Sequence, residues 1–76
     1  MKEAVQRIIK SLVGNPDAVQ VLETGDGKTI RYEVTVGEGD IGRVIGREGR
    51  TVKAVRSILF HAGQKQGKRY QVDILD

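Results

Sequence analysis

The sequence predicts an α+β domain with elements in the order α-β-β-α-α-β, a three-stranded mixed sheet covered on one face by three helices. Three observations carry that expectation. Apolar residues recur at helical spacing near the N-terminus and again in the second half. Two valine-rich runs flank an Asp-Gly pair, and the last residues alternate apolar with polar as a strand does.

Val5, Ile8, Ile9, Leu12 and Val13 form one face of an amphipathic helix, and Gly14-Asn15-Pro16 stops it. Ala18 to Glu23 reads as a strand. Thr29 to Val36 reads as a second, with Ile30, Tyr32, Val34 and Val36 on one side and Thr29, Arg31, Glu33 and Thr35 on the other. Thr24-Gly25-Asp26-Gly27-Lys28 holds the Asp-Gly pair of a tight reversal, so the two strands form an antiparallel hairpin. Gly37 and Gly39 let the chain turn out of the second strand, and Asp40 is placed as N-cap of a short helix over Ile41-Gly42-Arg43-Val44-Ile45. Gly46-Arg47-Glu48-Gly49 interrupts that helix. Periodicity resumes from Arg50 to Ala62, with Val52, Val55, Ile58, Leu59 and Ala62 on one broad apolar face and Gly63 as the stop. Tyr70, Val72 and Ile74 then alternate with Gln71, Asp73 and Leu75 in a last strand. That strand arrives by a helical crossover and so runs parallel to one neighbour. Residues 1–76 are expected to make one domain.

At 76 residues the chain is too short for the two βαβαβ halves of a dinucleotide fold. A chain of that size buries only roughly 60% of its unfolded surface. It has no cysteine and a single His61, which excludes a disulfide staple and a thiolate zinc cage. No apolar run approaches the roughly 20 residues that span a bilayer, and the N-terminal helix lacks a signal-peptide centre. The expectation is a cytoplasmic protein with no membrane contact, no metal and no cofactor.

Charge is informative by position. Residues 1–39 carry five basic and six acidic side chains, whereas residues 40–76 carry eight basic and four acidic. Between Ile41 and Arg69 all eight of those basic residues (Arg43, Arg47, Arg50, Lys53, Arg56, Lys65, Lys68 and Arg69) face one acid, Glu48. Such a concentration fits a polyanion-binding surface, although a solvated helix face would carry the same charges.

Two glycine patterns compete within this stretch. Gly37-Glu38-Gly39-Asp40-Ile41-Gly42 matches the dinucleotide signature, but Glu38 and Asp40 would repel a pyrophosphate and no ribose-binding acid follows about 20 residues on. Ile45-Gly46-Arg47-Glu48-Gly49-Arg50 lies between two helices instead. Its glycines allow a close turn and a phosphate approach free of side chains, and the next helix begins there with its unpaired N–H groups. Arg47 and Arg50 add full charges.

Val44-Ile45-Gly46-Arg47-Glu48-Gly49-Arg50-Thr51-Val52 resembles the core of the KH domain: a branched apolar residue, Ile-Gly, two polar residues, Gly, then a helix. The element order is similar to the bacterial type II KH arrangement, and over the whole chain the sequence resembles the KhpA-type family of small single-KH-domain proteins. The resemblance implies binding of single-stranded RNA, a homodimer, and a heterodimer with a larger Jag-type RNA-binding protein. It also implies a role as post-transcriptional regulator or RNA chaperone, in a family connected with bacterial cell shape and elongation. About four nucleotides would be clamped with low sequence specificity. Gly42, Arg43, Val44 and Ile45 would form one wall, and Gly46, Arg47, Glu48, Gly49 and Arg50 would hold phosphate. Val52 and Lys53 would continue along the helix, and Lys68 and Arg69 would close the other side. Glu48 departs from a wholly basic turn and lowers affinity. Only three aromatic residues, Tyr32, Phe60 and Tyr70, are available for stacking, so apolar contact and backbone hydrogen bonds should dominate base recognition.

Phe60 falls on the polar side of its helix, near Lys53 and Arg56, and is expected to join Ala54, Ser57 and His61 in a dimer contact. No acid or nucleophile has recognisable spacing to His61, so no enzymatic centre is expected. An RNA-binding module is the first reading. The other is a protein-interaction adaptor whose dimerisation is the function and whose RNA contact is incidental.

Overall fold

The structure is a computed structural model and describes residues 1–75. Helix α1 (Lys2–Leu12) is followed by a 3₁₀ turn (Pro16–Ala18), strands β1 (Gln20–Gly25) and β2 (Thr29–Thr35), and helix α2 (Ile41–Ile45). A second 3₁₀ turn (Arg47–Gly49) leads into helix α3 (Arg50–Gln66), and β3 (Arg69–Leu75) ends the fold. The order is the expected α-β-β-α-α-β.

The sheet order is β1-β2-β3. Strand β2 is central, antiparallel to β1 and parallel to β3. Asp26 closes the β1–β2 hairpin by accepting the amides of Lys28 (3.2 Å) and Thr29 (3.0 Å), the Asx geometry that short polar side chains supply in turns. Those amides, Thr29 first, hold its carboxyl below the usual carboxylate range.

The inner sheet face carries Val21, Tyr32, Val34, Tyr70 and Val72, packed against Val5 and Ile9 of α1, Val44 of α2, and Val55 and Leu59 of α3. The Tyr32 and Tyr70 rings lie 6.0 Å apart, a tilted aromatic pair within this core. Burial, assisted by the Glu23 carboxylate on the neighbouring strand, pushes the Tyr32 phenol up to about 12. The outer sheet face is open, with Arg31 and Asp73 paired across it at 3.2 Å.

Several local expectations are corrected. Strand β1 begins at Gln20 rather than Ala18, because Pro16 starts a 3₁₀ turn that consumes residues 16–18. Helix α3 does not stop at Gly63 but runs to Gln66. Gly63 is buried inside the helix, where a Cβ would overlap the Lys68 carbonyl and lie 3.3 Å from the Tyr70 ring. Gly67 is the true stop, with φ +68, and the Lys68 amide reaches back to the Gly63 carbonyl at 2.8 Å in a Schellman closure. Ile58 is 56% exposed rather than in the core, since it sits at the margin of the stripe centred on Val52, Val55 and Leu59. Gly37 shows no positive φ and instead packs close to Ala18; Gly39, at φ +87, makes the turn.

Asp40 is the N-cap residue of α2 as expected, its carbonyl accepting the Arg43 and Val44 amides, but its side chain has another use. Its side chain makes no bond to the first turn of α2. It is buried and accepts the amides of Gly14 and Asn15, each at 3.1 Å, with the Arg43 Nε 3.7 Å away. The carboxylate thereby satisfies the chain just after α1 and fixes the start of α2 against it.

Candidate nucleic-acid interface

The turn between α2 and α3 is built by backbone geometry that only a few residue types tolerate. Gly46 adopts φ +77 and ψ 173, a conformation reserved for glycine. A Cβ there would come within 2.9 Å of the Thr51 amide nitrogen and overlap the Thr51 side chain. Glu48 (φ 58) and Gly49 (φ +75) are both left-handed, and the Gly49 amide closes the turn on the Gly46 carbonyl at 3.2 Å. The chain therefore bends sharply between the helices rather than continuing through them.

Arg47 and Glu48 project into solvent at the bend, and no side chain is folded over it to cap α3. The Arg50 amide is turned back onto the Arg47 carbonyl, no side chain caps the first turn of this 17-residue helix, and its dipole favours an anion there. Arg50 approaches Glu48 only loosely, at 3.9 Å, with both side chains more than two-thirds exposed. Such a pair contributes little and leaves Arg50 available. Arg43 leans on Asp40, and Lys53 is exposed one turn into α3.

The apolar wall divides in two. Ile45 is 38% exposed beside the bend, whereas Val44 is fully buried and Val52 nearly so. Neither valine offers a face to a ligand, contrary to expectation; they hold Ile45 and Lys53 from behind. Gly42 is exposed, and a Cβ on it would meet nothing within 4 Å.

A groove lies between α3 and the free edge of β3, lined by Arg56, Phe60, Arg69, Tyr70, Gln71, Val72 and one acid, Asp73, which is paired with Arg31. Arg56 spans it, donating from Nε to the Val72 carbonyl at 3.3 Å. Arg56 was missed as a candidate lining residue, although its spacing of three from Lys53 and four from Phe60 puts all three on one side of the helix. Lys68 and Arg69 are exposed at the far end of this groove. Ala54, Ser57, Phe60 and His61 are all exposed on α3, and the Phe60 and His61 rings meet edge-on at 5.7 Å.

Two helices meeting at a Gly-Arg-Glu-Gly bend, backed by this sheet order, have counterparts among known proteins. The sequence model of the KH domain of KhpA and KhpB matches residues 2–74. The chain belongs to the KhpA/KhpB KH-domain family. Proteins named RNA-binding protein KhpA resemble it end to end: that of Halalkalibacterium halodurans is 45% identical over 76 residues, covering all of both chains. Those of Chlamydia trachomatis and Aquifex aeolicus are each 41% identical over the whole of this chain, covering 97% and 96% of their own lengths. The KhpA/KhpB fold is thus the type II KH-like α+β arrangement, and the KhpA relatives are named as RNA-binding proteins, not enzymes. Among the described residues no helix is long and apolar enough to cross a membrane, and no group of three or more His, Asp or Glu side chains is gathered as a metal site would need.

Proposed function

We infer that the chain binds single-stranded RNA, with the sugar-phosphate backbone against the Gly46–Gly49 bend and bases along the groove beside β3. The observation that carries this reading is the bare bend at the head of α3: two glycines, an outward Arg47, and helix amides without a side-chain cap. Membership of a family whose relatives are named RNA-binding supports it. About four nucleotides are held, Arg43, Arg47, Arg50 and Lys53 supplying charge and Ile45 apolar contact. Gly42 lets the strand lie close to α2. Sequence preference is weak, because Tyr32 and Tyr70 are buried and Phe60 is given to the pairing surface, which leaves apolar contact and the edge of β3 to meet the bases. Glu48 opposes phosphate and lowers affinity.

The protein acts in the cytoplasm as a post-transcriptional regulator or RNA chaperone. It pairs with a second copy through Ala54, Ser57, Phe60 and His61, and with a larger KH-type partner of the Jag type; the family description names KhpA and KhpB together. Replacing Arg47 and Glu48 by aspartate tests the RNA site, since Asp tolerates the left-handed backbone at position 48. Affinity for a single-stranded RNA is expected to fall at least about tenfold with the fold unchanged, as charge reversal at a phosphate contact requires. Unchanged binding would sink the reading. RNA binding lost with self-association retained separates it from a pure adaptor, and log K should fall with log salt at about −0.7 per phosphate neutralised.

A further inference from the structure

The end of the molecule opposite the bend carries Lys68 and Arg69, expected to close a four-nucleotide clamp but standing beyond the far end of α3. Strands β2 and β3 are parallel, with Thr29 registered on Arg69, so both start at the same end of the sheet. Lys28 and Lys68 therefore stand next to each other just ahead of that pair, and Arg69 follows. A direct bond fixes this arrangement: the Arg69 amide donates to the Lys28 carbonyl at 2.8 Å. The Schellman closure from Lys68 to Gly63 fixes the neighbouring turn. All three side chains are exposed, and among the described residues none of them is ion-paired. The nearby acid, Asp26, is committed to the amides of Lys28 and Thr29. Three exposed cations rooted at neighbouring backbone positions make a local positive field that favours an anion.

Their position adds a direction. Helix α3 has 17 residues, so its two ends lie roughly 24 Å apart at 1.5 Å per residue. Four nucleotides at the roughly 3.4 Å spacing of a stacked strand cover only about 10 Å, and even twice that spacing leaves them short of the far end. The groove runs from Arg56, in the second turn of α3, past Phe60 to Arg69 near the far end.

Building on the RNA-binding reading, we propose that Lys28, set beside Lys68 and Arg69, forms a second phosphate-binding point at the far end of the groove. The RNA footprint is then longer than the four nucleotides held near the bend. Lys28 lies in the acidic first half of the chain and enters the basic surface only through the parallel pairing of β2 with β3.

The test compares oligouridylates of four and of eight nucleotides, measured by fluorescence anisotropy across a salt series. The unmodified protein is expected to bind the longer RNA more tightly and with a steeper salt slope. Lys28→Gln is expected to weaken the longer RNA about fivefold and flatten its slope by about 0.7, the share of one phosphate, while leaving the shorter RNA unchanged. Lys28→Arg should restore both. The Lys28 side chain makes no contact that folding requires, and circular dichroism checks that the variants keep their structure. Equal affinity of Lys28→Gln and the unmodified protein for the longer RNA overturns the proposal, as does an equal loss on both lengths. If the unmodified protein binds neither RNA, the RNA-binding reading fails first and this second point with it.

Discussion

Asp40 joins two parts of the chain that lie 25 and 26 residues apart, its carboxylate accepting the amides of Asn15 and Gly14. A buried carboxylate bonded to two amides is worth more than its bonds alone, because its removal leaves both donors without a partner in a part-buried site. Asp40→Ala is therefore expected to cost about 2–3 kcal/mol in chemical denaturation. Asp40→Asn, which keeps one acceptor oxygen, should cost less. A loss below about 0.5 kcal/mol for the alanine variant would show that the clasp does not hold α2 against the end of α1. Asp40 stands one residue before α2, and so helps to position the bend that follows. Glycine matters at residue scale in the same region: Gly46 is held in a backbone conformation that only it can adopt, under the Thr51 side chain.

Among the elements, α3 shows how two glycines four residues apart can have opposite purposes. Gly63 has ordinary helical backbone and is required by space, since β3 passes too close for a Cβ. Gly67 has open space around it and is required by conformation, its φ being +68. Gly67→Ala is expected to cost about 1–2 kcal/mol, the ordinary penalty of a left-handed L-residue. Gly67→Asn should recover part of that. Gly63→Ala gains about 1 kcal/mol of helix propensity yet should still destabilise, because overpacking against the Lys68 carbonyl costs typically 1–3 kcal/mol and displaces β3. Thermal melts of the three variants check the contrast. A Gly63→Ala protein more stable than its parent would mean that β3 does not lie against α3 as described.

For the whole molecule, the question is what covers the outer side of α3. Phe60 and Ile58 are 51% and 56% exposed on a chain with 5158 Å² of surface. A typical stable interface of about 800 Å² per partner would take roughly a sixth of it. Phe60 borders the groove beside Arg56 on one flank of α3, and Ile58, His61 and Lys65 line a shallow apolar depression on the other. Pairing through Ala54, Ser57, Phe60 and His61 would leave the bend and the far basic end free. Phe60→Asp is expected to convert a dimer to a monomer in light scattering, with circular dichroism unchanged, because a carboxylate buried at an interface without a partner costs several kcal/mol. An unchanged mass with the fold intact would remove this helix from the contact.

The amino-acid sequence by itself determined the element order, the Asp-Gly hairpin, the Gly-Arg-Glu-Gly bend and the concentration of positive charge around it. Each of these depends on neighbours a few positions apart, on side-chain period and on turn chemistry. Only the tertiary structure decided that the Asp40 carboxylate holds the chain after α1 rather than the first turn of α2, that Gly63 lies inside a helix, that Val44 is core and Ile58 is not, and that Lys28 stands next to Lys68. Those facts depend on which distant segments meet: on the parallel register of β2 with β3, and on how closely α3 lies to the sheet. Local pattern reports what a residue prefers, and packing determines which partner is within reach.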